Sequence, residues 1–267
     1  MSFRVKYEPL LQAIVDEADK IAMRYFRSDA IGAEKKLDGS VVTIADKAVE
    51  NMALQKVAES GLAIDVVGEE TSKAPPTEPA RDGRPRMIID PIDGTEEFSR
   101  GIPTFGTLIG IEEDGEIVAG IVSAPALSQG TRWWAYKGEG AYRSGKRIHV
   151  SQRKSLEDAM FFTTGTGWAK NMEARKSMRR MADAARSSRS IGGFWQHMLV
   201  AEGAVEAAVD WVSKPWDLAP LPIIVQEAGG RSTTIDGEHT IYKGRFVSTN
   251  GLLHEQVLRL LRGDEAS

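Results

Sequence analysis

Three short acidic strings in this 267-residue chain carry residue types that can do chemistry: Gly68-Glu69-Glu70, Asp90-Pro91-Ile92-Asp93-Gly94-Thr95 and Trp216-Asp217. In the second, Pro91 has no N–H to give a sheet and Gly94 tolerates a positive φ, so a strand arriving here must stop and turn. Such a turn brings the Asp90 and Asp93 carboxylates and the Ile92 carbonyl together, and hard cations such as Mg²⁺ take oxygen donors of this kind. Thr95 opens the next helix, Glu96–Arg100, where free N–H groups near Gly94 and Thr95 suit a phosphate oxygen. Taken alone, the string reads equally well as an acidic turn with Thr95 as an N-cap.

The other candidates have bland readings too. Glu69 and Glu70 end a strand of their own; Glu pairs in surface turns are commonly just solvated, but a second acidic strand end nearby in sequence adds weight. Asp217 fits the N-cap of an apolar helix, with Pro220 in its first turn and Glu227-Ala228-Gly229-Gly230 at its end. A helix start is also a natural place to offer a carboxylate to a cation, so both roles can hold. Asp46 follows Thr43 by three residues, a capping pattern. Arg189, before Ile191-Gly192-Gly193, either contacts a phosphate or substrate carboxylate or is solvated. Two tempting matches fail. Gly140-x4-Gly145-Lys146 is followed by Arg147 where a phosphate loop needs Ser or Thr. Asp90 and Asp93 are three apart and cannot form an Asp-x-Asp phosphatase pair.

Composition narrows the chemistry further. Zero Cys excludes disulfides, thiolate catalysis and zinc–thiolate sites. The four His, at 149, 197, 239 and 254, are too scattered in sequence to suggest a transition-metal centre. Lys plus Arg number 34 against 38 Asp plus Glu, a net charge of −4, which argues against nucleic acid or an anionic membrane as partner. No apolar run approaches the roughly 20 residues that span a bilayer. The start, MSFRVKYEPLLQ, has no apolar signal core, and the expectation is a cytoplasmic protein. Chemistry must rest on carboxylates, hydroxyls and backbone.

Around these residues the apolar spacing predicts the elements. Leu10 to Phe26 form an amphipathic helix, and a turn at Asp38-Gly39-Ser40 leads through Val41–Thr43 into a second helix over Ile44–Ala53. Ile64–Val67 is a short strand, residues 71–86 a loop, and Met87–Ile89 a strand running into Asp90. Thr107–Ile111 and Ile117–Val122 form a hairpin about Asp114-Gly115, and Trp133–Tyr136 and Ala141–Val150 continue the sheet. Beyond, strands at Ala159–Thr164, Val205–Trp211, Gly230–Ile235 and Phe246–Thr249 alternate with helices at 171–186, near 194–203, from 218 and at 251–262. The class is α/β: an α+β half with an antiparallel sheet over 1–150 that carries most of the acidic strings, and an α/β half over 151–267 that carries Asp217.

The order and spacing of the strings together resemble the inositol monophosphatase superfamily over nearly the whole chain, including Val42-Thr43-x-x-Asp46 and Lys137-Gly138-x-Gly140-Ala141. Within it the chain looks most like bacterial histidinol-phosphate phosphatases of the inositol-monophosphatase type. Val122-Ser-Ala-Pro-Ala126, Arg132-Trp-Trp134, Leu199-Val-Ala-Glu-Gly203, Trp216-Asp-Leu-Ala219 and Asn250-Gly-Leu-Leu-His254 carry that narrower likeness. The resemblance implies a layered α-β-α-β-α sandwich, dimeric, and a Mg²⁺-dependent phosphomonoesterase. It implies that Glu69, Asp90, Asp93, Asp217 and the Ile92 carbonyl hold the metal. Asp46 and Thr95 orient the attacking water, with Glu69 and Glu70 nearby. Gly94 and Thr95 hold the phosphate, and Arg189 touches the substrate. One position departs: related histidinol phosphatases often carry Asp where Gly193 stands, where it could pair with the substrate's polar end.

The expected substrate is histidinol phosphate, with inositol phosphate or another small phosphate monoester as the alternative. A catalytically silent metal- or phosphate-binding protein is a third reading, and the intact Asp46, Thr95 and acidic set speak against it. A carboxylate enzyme of another kind leaves the phosphate-suited helix start unexplained. Fold likeness fixes reaction class better than substrate.

Overall fold

Ser2 begins the first helix: its hydroxyl accepts from Val5 N–H, and α1 runs Phe3–Tyr25. The helix starts well before Leu10 because Tyr7 is also buried, against the same sheet face. The computed structural model describes residues 2–36, 39–80, 83–164 and 172–264. A two-stranded antiparallel pair, β1 (Glu34–Lys35) and β2 (Val41–Val42), precedes α2 (Ile44–Glu59), which packs on α1. Asp38, in the turn predicted between these strands, lies outside the described residues.

Seven strands then form one sheet in chain order: β3 (Asp65–Gly68), β4 (Arg86–Asp93), β5 (Gly106–Glu113), β6 (Glu116–Ala124), β7 (Thr131–Tyr136), β8 (Ala141–Arg143) and β9 (Lys146–Ile148). β3 and β4 are parallel and the later neighbours antiparallel. At the β5–β6 turn Asp114 (φ +50°) and Gly115 (φ +80°) both adopt the left-handed conformation that a tight two-residue hairpin asks for. Ser144 and Gly145 do the same, at φ +45° and +82°. The stretch expected as one strand from Ala141 is therefore a hairpin, β8–β9. It also rules out a phosphate loop there, since Gly140 to Lys146 lie in strands and a turn.

Five more strands make a second sheet in the order β11-β10-β12-β14-β13, with β10 (Met160–Thr163), β11 (Ser187–Ser190), β12 (Ala207–Asp210), β13 (Arg231–Thr234) and β14 (Phe246–Thr249). β10 runs parallel to β11 and β12, and β14 antiparallel to β12 and β13, so this sheet is mixed. The helices are α3 (Thr95–Ser99), α4 (Met172–Ala184), α5 (Gly193–Ala201), α6 (Pro215–Leu218), α7 (Leu221–Glu227) and α8 (His254–Arg262). Asn171, placed by the sequence pattern at the start of α4, lies outside the described residues. No helix among the described residues is long and apolar enough to cross a membrane.

Strand period two sets the layers. Met87 and Ile89 of β4 face α1 and α2, in a cluster with Tyr7, Leu11, Ile14 and Ala53, while Ile88 between them faces the interior helices. There α5 and α7 lie between the two sheets, and Phe194, Met198, Leu221 and Ile224 share one core with Trp133 of the first sheet and Phe246 of the second. On the outer side Phe161 and Val209 meet Met181 of α4 and Val257 and Leu261 of α8. Each such buried Leu, Ile or Phe contributes about 1.5–3 kcal/mol. The stack is α-β-α-β-α, as expected. Glu227 at the end of α7 accepts from Gly138 N–H at 2.8 Å and Gly140 N–H at 2.7 Å, tying the middle layer to the β7–β8 turn. The Lys137–Ala141 and Glu227–Gly230 strings thus meet as a structural brace.

Candidate active site

β3 and β4 pair in parallel, Gly68 opposite Ile89, so Glu69 and Asp90 leave the same end of neighbouring strands. Two acidic strings about twenty residues apart in sequence become neighbours by that register alone. The strand expected over Met87–Ile89 is longer: β4 continues through Pro91 to Asp93, with its register to β5 broken between Asp90 and Asp93. A break of this kind is where a sheet can hold a proline. Three contacts fix the string. Ile92 N–H donates to Asp90 Oδ1 at 3.0 Å, Thr107 Oγ1 donates to the Pro91 carbonyl at 2.9 Å, and the Ile92 side chain is buried with Ala45, Phe98 and Phe105. Gly94 then turns the chain at φ +81°, and a Cβ there would lie 2.8 Å from the Thr104 carbonyl oxygen, so glycine is required.

Thr95 is not the cap of α3; Gly94 is. The Thr95 hydroxyl lies 2.9 Å from the Ile92 carbonyl oxygen and 3.1 Å from Asp46 Oδ1. Asp46 divides its oxygens. Oδ2 accepts from Thr43 N–H at 2.8 Å and Thr43 O–H at 2.5 Å in a capping box, and Oδ1 faces Thr95. The capping and functional readings of Asp46 both fit this geometry. Burial raises its pKa, opposed by hydrogen bonds from Thr43 and Thr95.

Asp217 comes from the other half of the chain. The cap predicted for it is instead Lys214: Asp217 is the third residue of α6, and its Oδ2 accepts from Lys214 N–H at 2.8 Å. Pro220 belongs to the next helix, as the cap of α7. The one helix expected from 218 is thus two, broken where Ala219 and Pro220 pack against Gly110 and Gly120 of the first sheet.

Carboxylate oxygens of Asp90, Asp93 and Asp217 lie within 4.8 Å of one another. Burial, then the charges of Glu69, Asp93 and Asp217, hold Asp90 well above the usual carboxylate range. Burial and Asp217 raise Asp93 likewise, against the pull of Phe194 N–H, which donates to Asp93 Oδ2 at 3.0 Å. Asp217 is pushed up to about 7 by burial, with Glu69 and Asp210 adding to it and the Lys214 N–H opposing. A divalent cation among these oxygens would remove both costs, and an all-oxygen donor set fits a hard one.

Sequence reasoning missed three residues here. Lys36 Nζ lies 2.9 Å from Glu69 Oε1 and 2.5 Å from Glu70 Oε1. Burial works against its charge, but the two carboxylates hold its pKa above the ordinary lysine value. Asp210, whose charge raises Asp93 and Asp217, is gripped by Gln196 Nε2 at 2.5 Å and His197 Nε2 at 2.9 Å. Its only mark is an acid in an otherwise apolar strand. Glu50 is buried on α2 behind the Glu69–Glu70 turn. Arg189 sits on the edge strand β11, exposed, with its guanidinium on the Ser188 carbonyl and outside the carboxylate cluster. Gly193 has a reason: at φ +61° its Cβ would stand 2.9 Å from Asp93 Oδ2. An aspartate there would press a second carboxylate on Asp93.

Known proteins agree with this frame. The model of the inositol monophosphatase family matches residues 6–265. A histidinol-phosphatase of Mycobacterium tuberculosis is 40% identical over 258 residues, covering 94% of this chain and 96% of the relative. A Thermotoga maritima IMPase structure superposes with a TM-score of 0.81 at 30% identity, over 94% of each chain. An IMPase/NADP phosphatase solved with Mg²⁺ and phosphate shares the fold, with a TM-score of 0.82 at 23% identity, covering 98% of this chain and 97% of that one. With a family model spanning nearly all its residues and a full-length relative at this identity, the chain belongs to the inositol monophosphatase family.

Proposed function

We propose that this chain is a Mg²⁺-dependent phosphomonoesterase that hydrolyses histidinol phosphate to histidinol and phosphate. The observation that carries the reaction class is the convergence of Asp90, Asp93 and Asp217 within 4.8 Å beside the Asp46–Thr95 pair. The substrate rests on the full-length likeness to a histidinol-phosphatase. Glu69, Asp90, Asp93, Asp217 and the Ile92 carbonyl would hold Mg²⁺, which when bound neutralises phosphate charge and makes a water more acidic.

The chain's own residues do the rest. The N–H groups of Gly94, the cap of α3, and of Thr95, its first residue, hold a phosphate oxygen. Thr95 Oγ1 accepts from the attacking water while passing its own proton toward Asp46 Oδ1. Burial raises the proton affinity of that carboxylate and Thr43 fixes its other oxygen. The water oxygen bonds to phosphorus as the ester P–O bond breaks. The electron pair leaves on the ester oxygen, which takes a proton from solvent water to become the alcohol, and Asp46 returns its proton to solvent. Arg189, exposed on β11, would contact the substrate. Residues 1–150 supply most of this machinery and 151–267 supply Asp217 and the substrate side, in a cytoplasmic homodimer.

The test is phosphate release from histidinol phosphate and inositol 1-phosphate side by side, with Mg²⁺ and with EDTA. The expected result is a strong preference for histidinol phosphate, lost in EDTA. Preference for inositol 1-phosphate overturns the substrate and keeps the chemistry. Release from neither overturns the enzyme in favour of a silent binder.

A further inference from the structure

Glu50 is fully buried on α2, one helical turn after Asp46, and its carboxylate faces the turn that follows β3. Its Oε2 accepts from Glu70 N–H at 2.8 Å, and its Oε1 accepts from Thr71 N–H at 2.8 Å and from the Thr71 hydroxyl. Every one of these donors belongs to the two residues after Glu69. Gly68, just before Glu69, leaves the room: a Cβ at 68 would overlap the Glu50 carboxylate itself. The carboxylate therefore fills the space under the turn and takes the N–H groups that β3 can no longer pair. On the other side, Lys36 reaches over Glu69 and Glu70.

We infer that Glu50 is a positioning residue for Mg²⁺ binding: it fixes the Glu69–Glu70 turn at the end of β3, beside the end of β4 that carries Asp90. This rests on the proposed metal role of Glu69. A carboxylate is required because it is an acceptor at both oxygens. Glutamine of the same size would set an NH₂ group against a backbone N–H, leaving a buried donor without an acceptor. Because α2 also carries Asp46, the same rigid helix holds the metal side and the water side of the site in register.

The test uses the full chain and Mg²⁺ itself. Mg²⁺ binding is titrated calorimetrically without substrate for the wild type, Glu50→Gln and Val57→Ala, with unfolding midpoints measured in EDTA. Val57→Ala empties space on the same helix away from the turn and controls for lost stability. The expected result is Mg²⁺ binding about tenfold weaker in Glu50→Gln and unchanged in Val57→Ala at a comparable loss of midpoint. In turnover, half-saturating Mg²⁺ rises by the same factor while kcat at saturating Mg²⁺ falls less. Equal Mg²⁺ binding by Glu50→Gln and the wild type overturns the role of Glu50 and leaves the phosphatase reading standing. Absence of Mg²⁺ binding by the wild type overturns both. Should Glu50→Gln fail to fold, Thr71→Val removes a single donor to the same carboxylate; a two- to threefold weakening supports the inference, and none overturns it.

Discussion

Asp93 bears three opposed demands: burial and the Asp217 charge push its proton on, and Phe194 N–H pulls it off. Neutralising it by Asp93→Asn should therefore cost phosphate release at least a hundredfold while the metal-free fold holds or gains stability, since a repulsion inside the cluster disappears. Phosphate release and the unfolding midpoint in EDTA read the two halves of that expectation, and a variant that still turns over at the wild-type rate ends the scheme. At this scale the sequence was informative wherever a residue's partner is local. Thr43 and Asp46 advertise their capping box three residues apart, and Asp90 to Thr95 are adjacent. Lys36 and Glu50 were invisible because their partners, Glu69 to Thr71, lie twenty or more residues away, and only tertiary packing brings them close. Arg189 was legible as a charge before a glycine pair, yet nothing local says whether the strand that carries it faces the site.

The entry to α5 shows how one element serves both halves of the protein. Its Phe194 N–H donates to Asp93, and the chain can come this near only because residue 193 has no side chain and sits at φ +61°. Gly193→Ala should thus cost about 1–2 kcal/mol from the left-handed backbone alone. At roughly 2–4 °C per kcal/mol for a chain of this size, the midpoint falls by several degrees. The displaced Asp93 should lower kcat/KM about tenfold; a variant with wild-type kcat/KM shows that Asp93 tolerates the methyl group. The elements that periodicity missed have physical reasons as well. β11 reads Ser187-Ser188-Arg189-Ser190, an edge strand with one neighbour and no apolar alternation to reveal it. The join between α6 and α7 was hidden because the apolar residues continue through it; Pro220 and Pro222 have no N–H to carry the helical ladder across, and Ala219 and Pro220 lie close to glycines in the neighbouring sheet. Where the pattern matched the layers, as for Met87, Ile88 and Ile89, strand alternation alone sends neighbours to opposite apolar faces, both of them buried.

Across the whole molecule, the sandwich brings buried carboxylates from two halves of the chain to one point, and that arrangement sets how stability depends on pH and metal. Asp90, Asp93 and Asp217 hold their protons more tightly when folded than the unfolded value of about 3.9, Asp217 up to about 7. Between those values the metal-free folded protein binds more protons than the unfolded chain. Its stability from this source is full below about pH 4 and drains away as pH rises through the folded values. His254 works in the other direction: burial between Thr233 and Thr249 lowers its pKa to about 4, so its contribution is present above about pH 6.5 and lost as pH falls toward 4. It makes no contact with the carboxylate cluster and cancels in a comparison of the same protein with Mg²⁺ and with EDTA at one pH. Mg²⁺ competes with protons for the cluster, so that difference isolates the site. The gain in unfolding midpoint on adding saturating Mg²⁺ should be several degrees at pH 8 and close to nothing at pH 5, where protons already neutralise the oxygens. A gain independent of pH over that range places Mg²⁺ elsewhere on the protein, and Asp93→Asn should abolish the pH 8 gain only if the cluster is where it binds.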